Sequence, residues 1–128
     1  MFKNICIALG APLWAIRLEK TIINLQQTVN DGFDNIVAQF IDINNDIAKT
    51  ANNSANHPTH ALQSVRNAAR LYPPWFPGTR HDLIMMTEQQ ARELIQFYHL
   101  NIVHGGDGTP HQRRLKAIAD HIGVRDVF

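Results

Sequence analysis

The sequence predicts a mostly helical fold, in which one long N-terminal helix and three shorter helices form a bundle. Three observations predict it: apolar residues recur at helical spacing from residue 12 to about residue 51, threonine-led capping signals precede two later apolar runs, and only residues 4–9 and 101–103 resemble short strands. With 45% hydrophobic and 18% charged residues, we expect the whole chain, 1–128, to form a single domain.

The long helix is predicted over residues 12–51, with Pro12 in its first turn. At about 100° per residue, one narrow stripe collects Leu18, Ile22, Leu25, Val29, Phe33, Ile36, Phe40, Ile43 and Ile47. Asp31-Gly32 is a turn signal, yet the stripe keeps its phase across it. The pattern therefore favours one continuous helix with Gly32 as a weak point, and a helical hairpin broken there is the alternative.

The stripe also predicts how this helix is used. Leu18, Val29 and Phe40 are separated by equal intervals that match an eleven-residue repeat, which favours a nearly straight or slightly right-handed helix pair. A second, thinner stripe contains Ile16, Ile23, Val37 and Ile41. Because short helices of the same chain cannot cover so long a helix, we expect part of it to contact another chain, either a partner or a second copy.

The remaining elements follow a polar break at residues 52–57 and make up a compact helical part, residues 58–128. His57-Pro58 is predicted to open a second helix that ends before Pro73-Pro74. Its expected inner face contains Leu62, Val65, Ala69 and Tyr72.

Two further helices have clear start signals. Thr87 and Gln90 form a capping box, and the helix that follows has Ala91, Leu94, Ile95 and Tyr98 on its inner face. Thr109 caps the last helix, with Pro110 at its first position and Gly123 at its end. Its expected inner face contains Leu115, Ile118, Ala119 and Ile122.

The segment from Tyr72 to Gly78, YPPWFPG, is rigid and aromatic. It is either a polyproline-type surface for a partner or a stiff loop whose Trp75 and Phe76 fill the core, and the second interpretation is favoured. Because large buried aromatic residues dominate interface energetics, the predicted contact residues are Phe33, Ile36, Phe40, Trp75 and Phe76.

Gly105, Gly106, Asp107, Gly108 and Thr109 spell GGDGT, which resembles the short motif of the diacylglycerol kinase and NAD kinase superfamily. The resemblance covers these five residues and implies a loop against nucleotide phosphates. In a phosphate-binding protein, Arg113 and Arg114 would be further phosphate contacts. Glycine N–H groups at a helix N-terminus form an anion site. The alternative is purely structural, because the same residues would end one helix, turn, and cap the next.

The sequence offers few candidate residues for metal binding, thiol chemistry or nucleic-acid binding. Seven histidines are scattered, and the best metal hypothesis groups His99, His104 and His111 around the glycine turn; we expect no bound metal and no cofactor. Cys6 is the only cysteine, which fits a reducing compartment. The net charge of +1 and the single basic cluster near Arg113 lead us to expect no nucleic-acid partner.

The apolar N-terminal run is too short to span a bilayer, and Gly10 and Pro12 interrupt it, so we expect a soluble, cytoplasmic protein. The leading hypothesis is a non-catalytic protein–protein interaction module, an adaptor, an inhibitor or a self-associating subunit, that uses the long helix and the YPPWFPG loop. A phosphate- or nucleotide-binding protein that uses the GGDGT loop is the alternative.

Overall fold

The structure is a computed structural model that describes residues 12–102 and 105–127. These residues form four helices: α1, Leu13–Asn53; α2, Arg80–Ile84; α3, Glu88–Tyr98; and α4, Pro110–Ile122. Their one strand-like pairing is an antiparallel bridge between Ala61 and Thr79. The mostly helical fold, with one long helix and three shorter ones, is confirmed.

The two predicted short strands have different outcomes. Residues 4–9 lie outside the described residues. In the second segment, Asn101 and Ile102 are in neither a strand nor a helix, and Val103 lies outside the described residues.

Contacts divide the chain into two compact units, the first ending at Phe40 and the second covering Ile41–Phe128. Helix α1 supplies the described part of the first unit and the opening turns of the second. The expectation that residues 1–128 form one domain stays a prediction.

Helix α1 passes through Asp31 and Gly32 without interruption, so the continuous helix is confirmed and the hairpin alternative is wrong. Aspartate tends to end helices because its side chain bonds to nearby backbone groups. Here the Asp31 carboxylate instead accepts a hydrogen bond from Gln27 Nε2 at 2.9 Å, four residues earlier. This contact between side chains leaves the helical backbone intact.

The second helix predicted after Pro58 is wrong, because the segment that follows α1 is extended and irregular as far as Thr79. Two asparagines of α1 hold it by acting as substitutes for a neighbouring strand. Asn52 Oδ1 accepts from Gln63 N at 2.7 Å and its Nδ2 donates to Gln63 O at 3.0 Å. Asn45 pairs with Arg66 in the same way, at 2.6 and 3.2 Å.

These contacts satisfy backbone groups that a helix would otherwise have paired internally. Leu62 and Val65 are still buried, while Ala69 and Tyr72 are exposed, so half of the predicted inner face reaches the core without a helix.

Backbone hydrogen bonds join the beginning of the extended segment to its end. Leu62 N donates to Gly78 O and Arg80 N donates to His60 O, on either side of the Ala61–Thr79 bridge. The short helix α2, which the sequence pattern did not predict, begins directly after this closure with Thr79 as its cap. Its Leu83 is fully buried.

Helices α3 and α4 supply most of the core of the second unit, as predicted. Both begin with capping boxes, Thr87 with Gln90 and Thr109 with Gln112. Tyr98 adds a polar contact at the core, since its hydroxyl donates to Val65 O at 2.5 Å. The buried residues of these two helices are Ala91, Leu94, Tyr98, Leu115, Ile118, Ala119 and Ile122. Ile95, also predicted on the inner face, packs against this core and is partly buried.

Across the described ranges, no helix combines the length and hydropathy that a membrane span requires.

Candidate interaction surface

The most distinctive surface of the first unit is an apolar face of α1 that its described residues leave in contact with solvent. We define the α1 stripe as Leu18, Ile22, Leu25, Val29, Phe33, Ile36 and Phe40. Their exposures range from 38% to 64%. Single exposed apolar residues are ordinary on protein surfaces, but a contiguous row of this size is typical of a binding site.

Within the second unit, α1 shows which of its faces the core uses. The α1 residues that are fully or partly buried there are Ile41, Asn45, Ala48, Lys49 and Asn52. Ile43 and Ile47, which share the phase of the stripe, are 55% and 60% exposed. Within the second unit, α1 therefore packs through the face with the two asparagines, and the described residues leave Ile43 and Ile47 exposed.

The stripe has almost no charge near it. Between Leu18 and Phe40 the charged residues are Glu19, Lys20, Asp31 and Asp34. At about 100° per residue, Lys20, Asp31 and Asp34 lie on the side of the helix away from the stripe. Glu19 lies on its flank and is buried. Two copies of this face can therefore approach without repulsion between like charges.

The YPPWFPG loop divides its aromatic residues between core and surface. Phe76 packs against the core, and Pro73 and Pro77 are buried. Trp75 is 37% exposed. Tyr72 is exposed, with the Arg66 guanidinium 4.3 Å from its ring centre. Phe76, Pro73 and Pro77 therefore fill part of the core. Of the two predicted contact residues in this loop, Trp75 is the more exposed.

Trp75 borders a shallow groove of about 320 Å³ between the proline loop and helix α3. Pro74, Leu94 and Phe97 line it with apolar surface, and Glu93 adds a carboxylate to the lining. All of the residues that line the groove belong to the second unit, and none of them belongs to the α1 stripe.

The GGDGT loop has the turn geometry that its glycines predict. Gly105 and Gly108 both have a φ of +87°, in the left-handed region that favours glycine. Thr109 Oγ1 accepts from Gln112 N, and Gln112 Oε1 accepts from Thr109 N. Since Pro110 has no N–H, the capping box and the proline together account for most of the donors that an anion would use at this helix N-terminus.

The basic side chains near this loop are also engaged in hydrogen bonds or offset by nearby carboxylates. Arg113 donates to Gly106 O and to Gly108 O, both at 2.9 Å, and so holds the loop closed. A hollow of about 500 Å³ lies beside it, lined by Arg113 and Lys116 but also by Asp107 and Asp120. Two carboxylates beside two cations leave no net positive charge to attract a phosphate. Arg114 is partly buried.

The histidines do not converge in the described structure. His99 ends helix α3 in the left-handed conformation, and His111 Nε2 lies 2.9 Å from Met86 O. His104 and Cys6 lie outside the described residues. Among the residues that are described, no group of three histidine, cysteine or acidic side chains is close enough to hold a metal.

Burial shifts the pKa values of two side chains that pack against each other in the second unit, Tyr98 and His121. Burial raises the pKa of the Tyr98 hydroxyl. Burial lowers the pKa of His121, and the positive charge of Lys49 lowers it further. The His121 ring lies against Tyr98, with the ring centres 4.8 Å apart. Both shifts arise from packing and point to structural roles for these side chains.

Sequence reasoning missed the polar side chains that organise the second unit. Asn45 and Asn52 hold the extended segment, and the Arg80 guanidinium donates to Ala55 O, Arg125 O and Asp126 O. A signal for the asparagines was present, because both lie on the face of α1 opposite the stripe, and asparagine is a poor residue for a helix interior. Their partners were not visible from the sequence.

Comparison with protein-family models, with curated proteins and with solved structures finds no match for this chain.

Proposed function

We propose that the protein is a non-catalytic protein–protein interaction module that self-associates through the α1 stripe. The observation that carries this proposal is the row of seven large apolar side chains, 38–64% exposed, on a helix with no nearby charge on that face. Water contact with so much apolar surface is costly, and a second apolar helix would remove that contact.

The area of the stripe is sufficient for a stable interface. Side chains of this size and exposure present about 100 Å² each, so the stripe offers about 700 Å² per chain, close to the half-share of a standard protein–protein interface. At about 25 cal/mol per Å², burying two such faces, about 1,400 Å² in all, yields on the order of 35 kcal/mol before costs. Lost translational freedom, side-chain ordering and desolvation offset most of this gross figure, so the area is large enough for an interface but does not by itself set the affinity.

Within this function, Phe33 and Phe40 are the central anchors, and Trp75 with its groove is a second, smaller contact site for another protein. An adaptor or an inhibitor would use the same surfaces. A compartment that keeps thiols reduced, such as the cytoplasm, suits a chain with a single cysteine.

Sedimentation velocity over a wide range of concentrations tests the proposal. The wild-type chain should show a mass above the 14.5 kDa of one copy, rising with concentration. Replacing Phe33 and Phe40 together with alanine should raise the dissociation constant by about a millionfold, since a pair of chains loses four buried aromatic side chains and each contributes about 2 kcal/mol at an interface.

The matched control replaces Asn24 and Gln27 with alanine, because both are exposed on α1 away from the stripe. This variant should keep the wild-type mass, and circular dichroism should show equal helix content in all three proteins. A wild-type chain that stays monomeric at every concentration would rule out self-association.

The phosphate- or nucleotide-binding alternative rests on the GGDGT loop and has less support. Its helix N-terminus is capped by Thr109 and Gln112, and Arg113 is bonded to two loop carbonyls. Isothermal titration with ATP, NAD or inorganic phosphate tests it directly. Binding that is lost in Asp107→Ala and Arg113→Ala variants would make it the better proposal.

A further inference from the structure

We propose that the partner on the α1 stripe is a second copy of the chain lying antiparallel, with the two helices crossing at Gly32 and Phe33. This inference rests on the proposed function and adds the orientation and register of the pair.

The spacing of the stripe supplies the register. Leu25 and Phe40 lie equally far on either side of the point between Gly32 and Phe33. Val29 and Ile36 are also equidistant from that point. A twofold axis through it, perpendicular to the helix, places each member of a pair level with the other member on the second chain. The stripe is therefore self-complementary in the antiparallel direction.

The sizes of the paired residues favour this direction over a parallel one. An antiparallel pair produces mixed layers, in which Leu25 meets Phe40 and Val29 meets Ile36. A parallel pair in register would instead place Phe40 on Phe40 and Val29 on Val29. Helix axes stay about 8–10 Å apart along a contact, so layers of similar total volume pack with fewer voids and less strain.

Charge does not oppose this arrangement. Asp31 and Asp34, the charged residues nearest to the crossing point, lie on the far side of each helix. Orientation is then decided by packing and by the helix dipoles, which attract each other when the helices are antiparallel.

The position of Gly32 also fits a crossing point. Glycine is a poor residue for a helix interior, and Gly32 lies well inside the 41-residue helix α1. Apart from the adjacent residues and the nearby backbone of the helix itself, no described atom lies within 4 Å of the place where a Cβ would be. The open surface lets a second backbone approach closely, and the two Phe33 rings meet beside it on the twofold axis.

Cysteine crosslinking of the full chain tests the orientation. In a Cys6→Ser background, one protein carries Leu25→Cys and a second carries Phe40→Cys. In the antiparallel pair, the two copies of residue 25 are about 22 Å apart along the axis, at about 1.5 Å per residue. That is beyond the roughly 7 Å limit for a disulfide. Residue 25 of one chain instead lies level with residue 40 of the other.

We therefore expect a covalent dimer when the two proteins are mixed and oxidised, and none when either is oxidised alone. Crosslinking of each protein by itself would show a parallel pair and overturn the proposal. A non-covalent dimer of the cysteine variants, seen by sedimentation under reducing conditions, that crosslinks in no combination would overturn the register. A wild-type chain that is monomeric would instead be a failure of the proposed function.

A second variant keeps the test independent of the cysteines. Gly32→Ala should raise the helix melting temperature, because alanine is the better helix former. It should also weaken dimerisation by about tenfold, because added methyl groups overpack a close crossing. Dimerisation that is unchanged or tighter in Gly32→Ala would place the crossing elsewhere.

Discussion

Replacing Asn52 with alanine is expected to be among the most destabilising single changes in the second unit. The Asn52 side chain is fully buried. It makes three hydrogen bonds: Nδ2 donates to Gln63 O at 3.0 Å and to Ile122 O at 2.8 Å, and Oδ1 accepts from Gln63 N at 2.7 Å. One side chain thus links helix α1, the extended segment and the end of helix α4.

The magnitude follows from these contacts. Alanine leaves the Gln63 N–H, the Gln63 carbonyl and the Ile122 carbonyl without Asn52 as a partner. Each hydrogen bond contributes about 1 kcal/mol net, and an unsatisfied buried group costs about 1–3 kcal/mol. We expect the free energy of unfolding to fall by about 3–5 kcal/mol, a large fraction of the roughly 5–15 kcal/mol that stabilises a typical domain.

Urea denaturation, followed by tryptophan fluorescence, measures this loss. In a Trp14→Phe background, Trp75 is the only tryptophan and reports on the second unit. Asn45→Ala is the matched control, because Asn45 makes the same pair of contacts to Arg66 in a partly buried position that water can reach. It should lose about 1 kcal/mol. An Asn52→Ala protein within 1 kcal/mol of the parent would show that these three hydrogen bonds contribute little to the stability of the second unit.

Three further predictions concern the second unit. Gly123→Ala should lower the free energy of unfolding by about 3 kcal/mol or more. Gly123 has a φ of +95°, and a Cβ there would overlap the carbonyl of Lys49. A urea midpoint within error of wild type would contradict this. Tyr98→Phe should cost about 1–2 kcal/mol through the lost bond to Val65. Because burial raises the folded-state pKa of Tyr98, its stabilisation is complete below about pH 10 and falls as the pH rises above it, so the variant should lose stability less steeply at alkaline pH. The pKa of His121 is lowered in the folded state, so its contribution to stability is present above about pH 6.5 and is lost as the pH falls. His121→Gln should therefore reduce the fall in urea midpoint below that pH. An unchanged pH profile would show that the imidazole is not involved.

Features that depend on near neighbours along the chain could be predicted from the sequence. The phase of the apolar residues around Asp31 and Gly32 predicted a continuous helix, and α1 is continuous. Capping signals at Thr87 and Thr109 placed the starts of α3 and α4, and Gly123 placed the end of α4. These devices act over three or four residues, so local pattern is enough to read them.

The sequence also identified the candidate surface. The row of apolar residues that includes Phe33, Ile36 and Phe40 was predicted as one helix face, and these side chains are exposed in the structure. The spacing of these residues does not predict what they contact, because an apolar helix face has the same spacing whether it packs on a core or on a partner.

The conformation of the segment after Pro58 depends on long-range contacts and could not be predicted from local sequence. Its apolar spacing matched a helix, yet the backbone of Gln63 and Arg66 bonds to Asn52 and Asn45 of α1, at separations of 11 and 21 residues. Hydrogen bonds over such distances depend on how the chain folds back on itself, and they replaced the helix that local spacing favoured. These contacts also explain why, in the second unit, α1 packs through the face that carries Asn45 and Asn52, while Ile43 and Ile47 are exposed among the described residues.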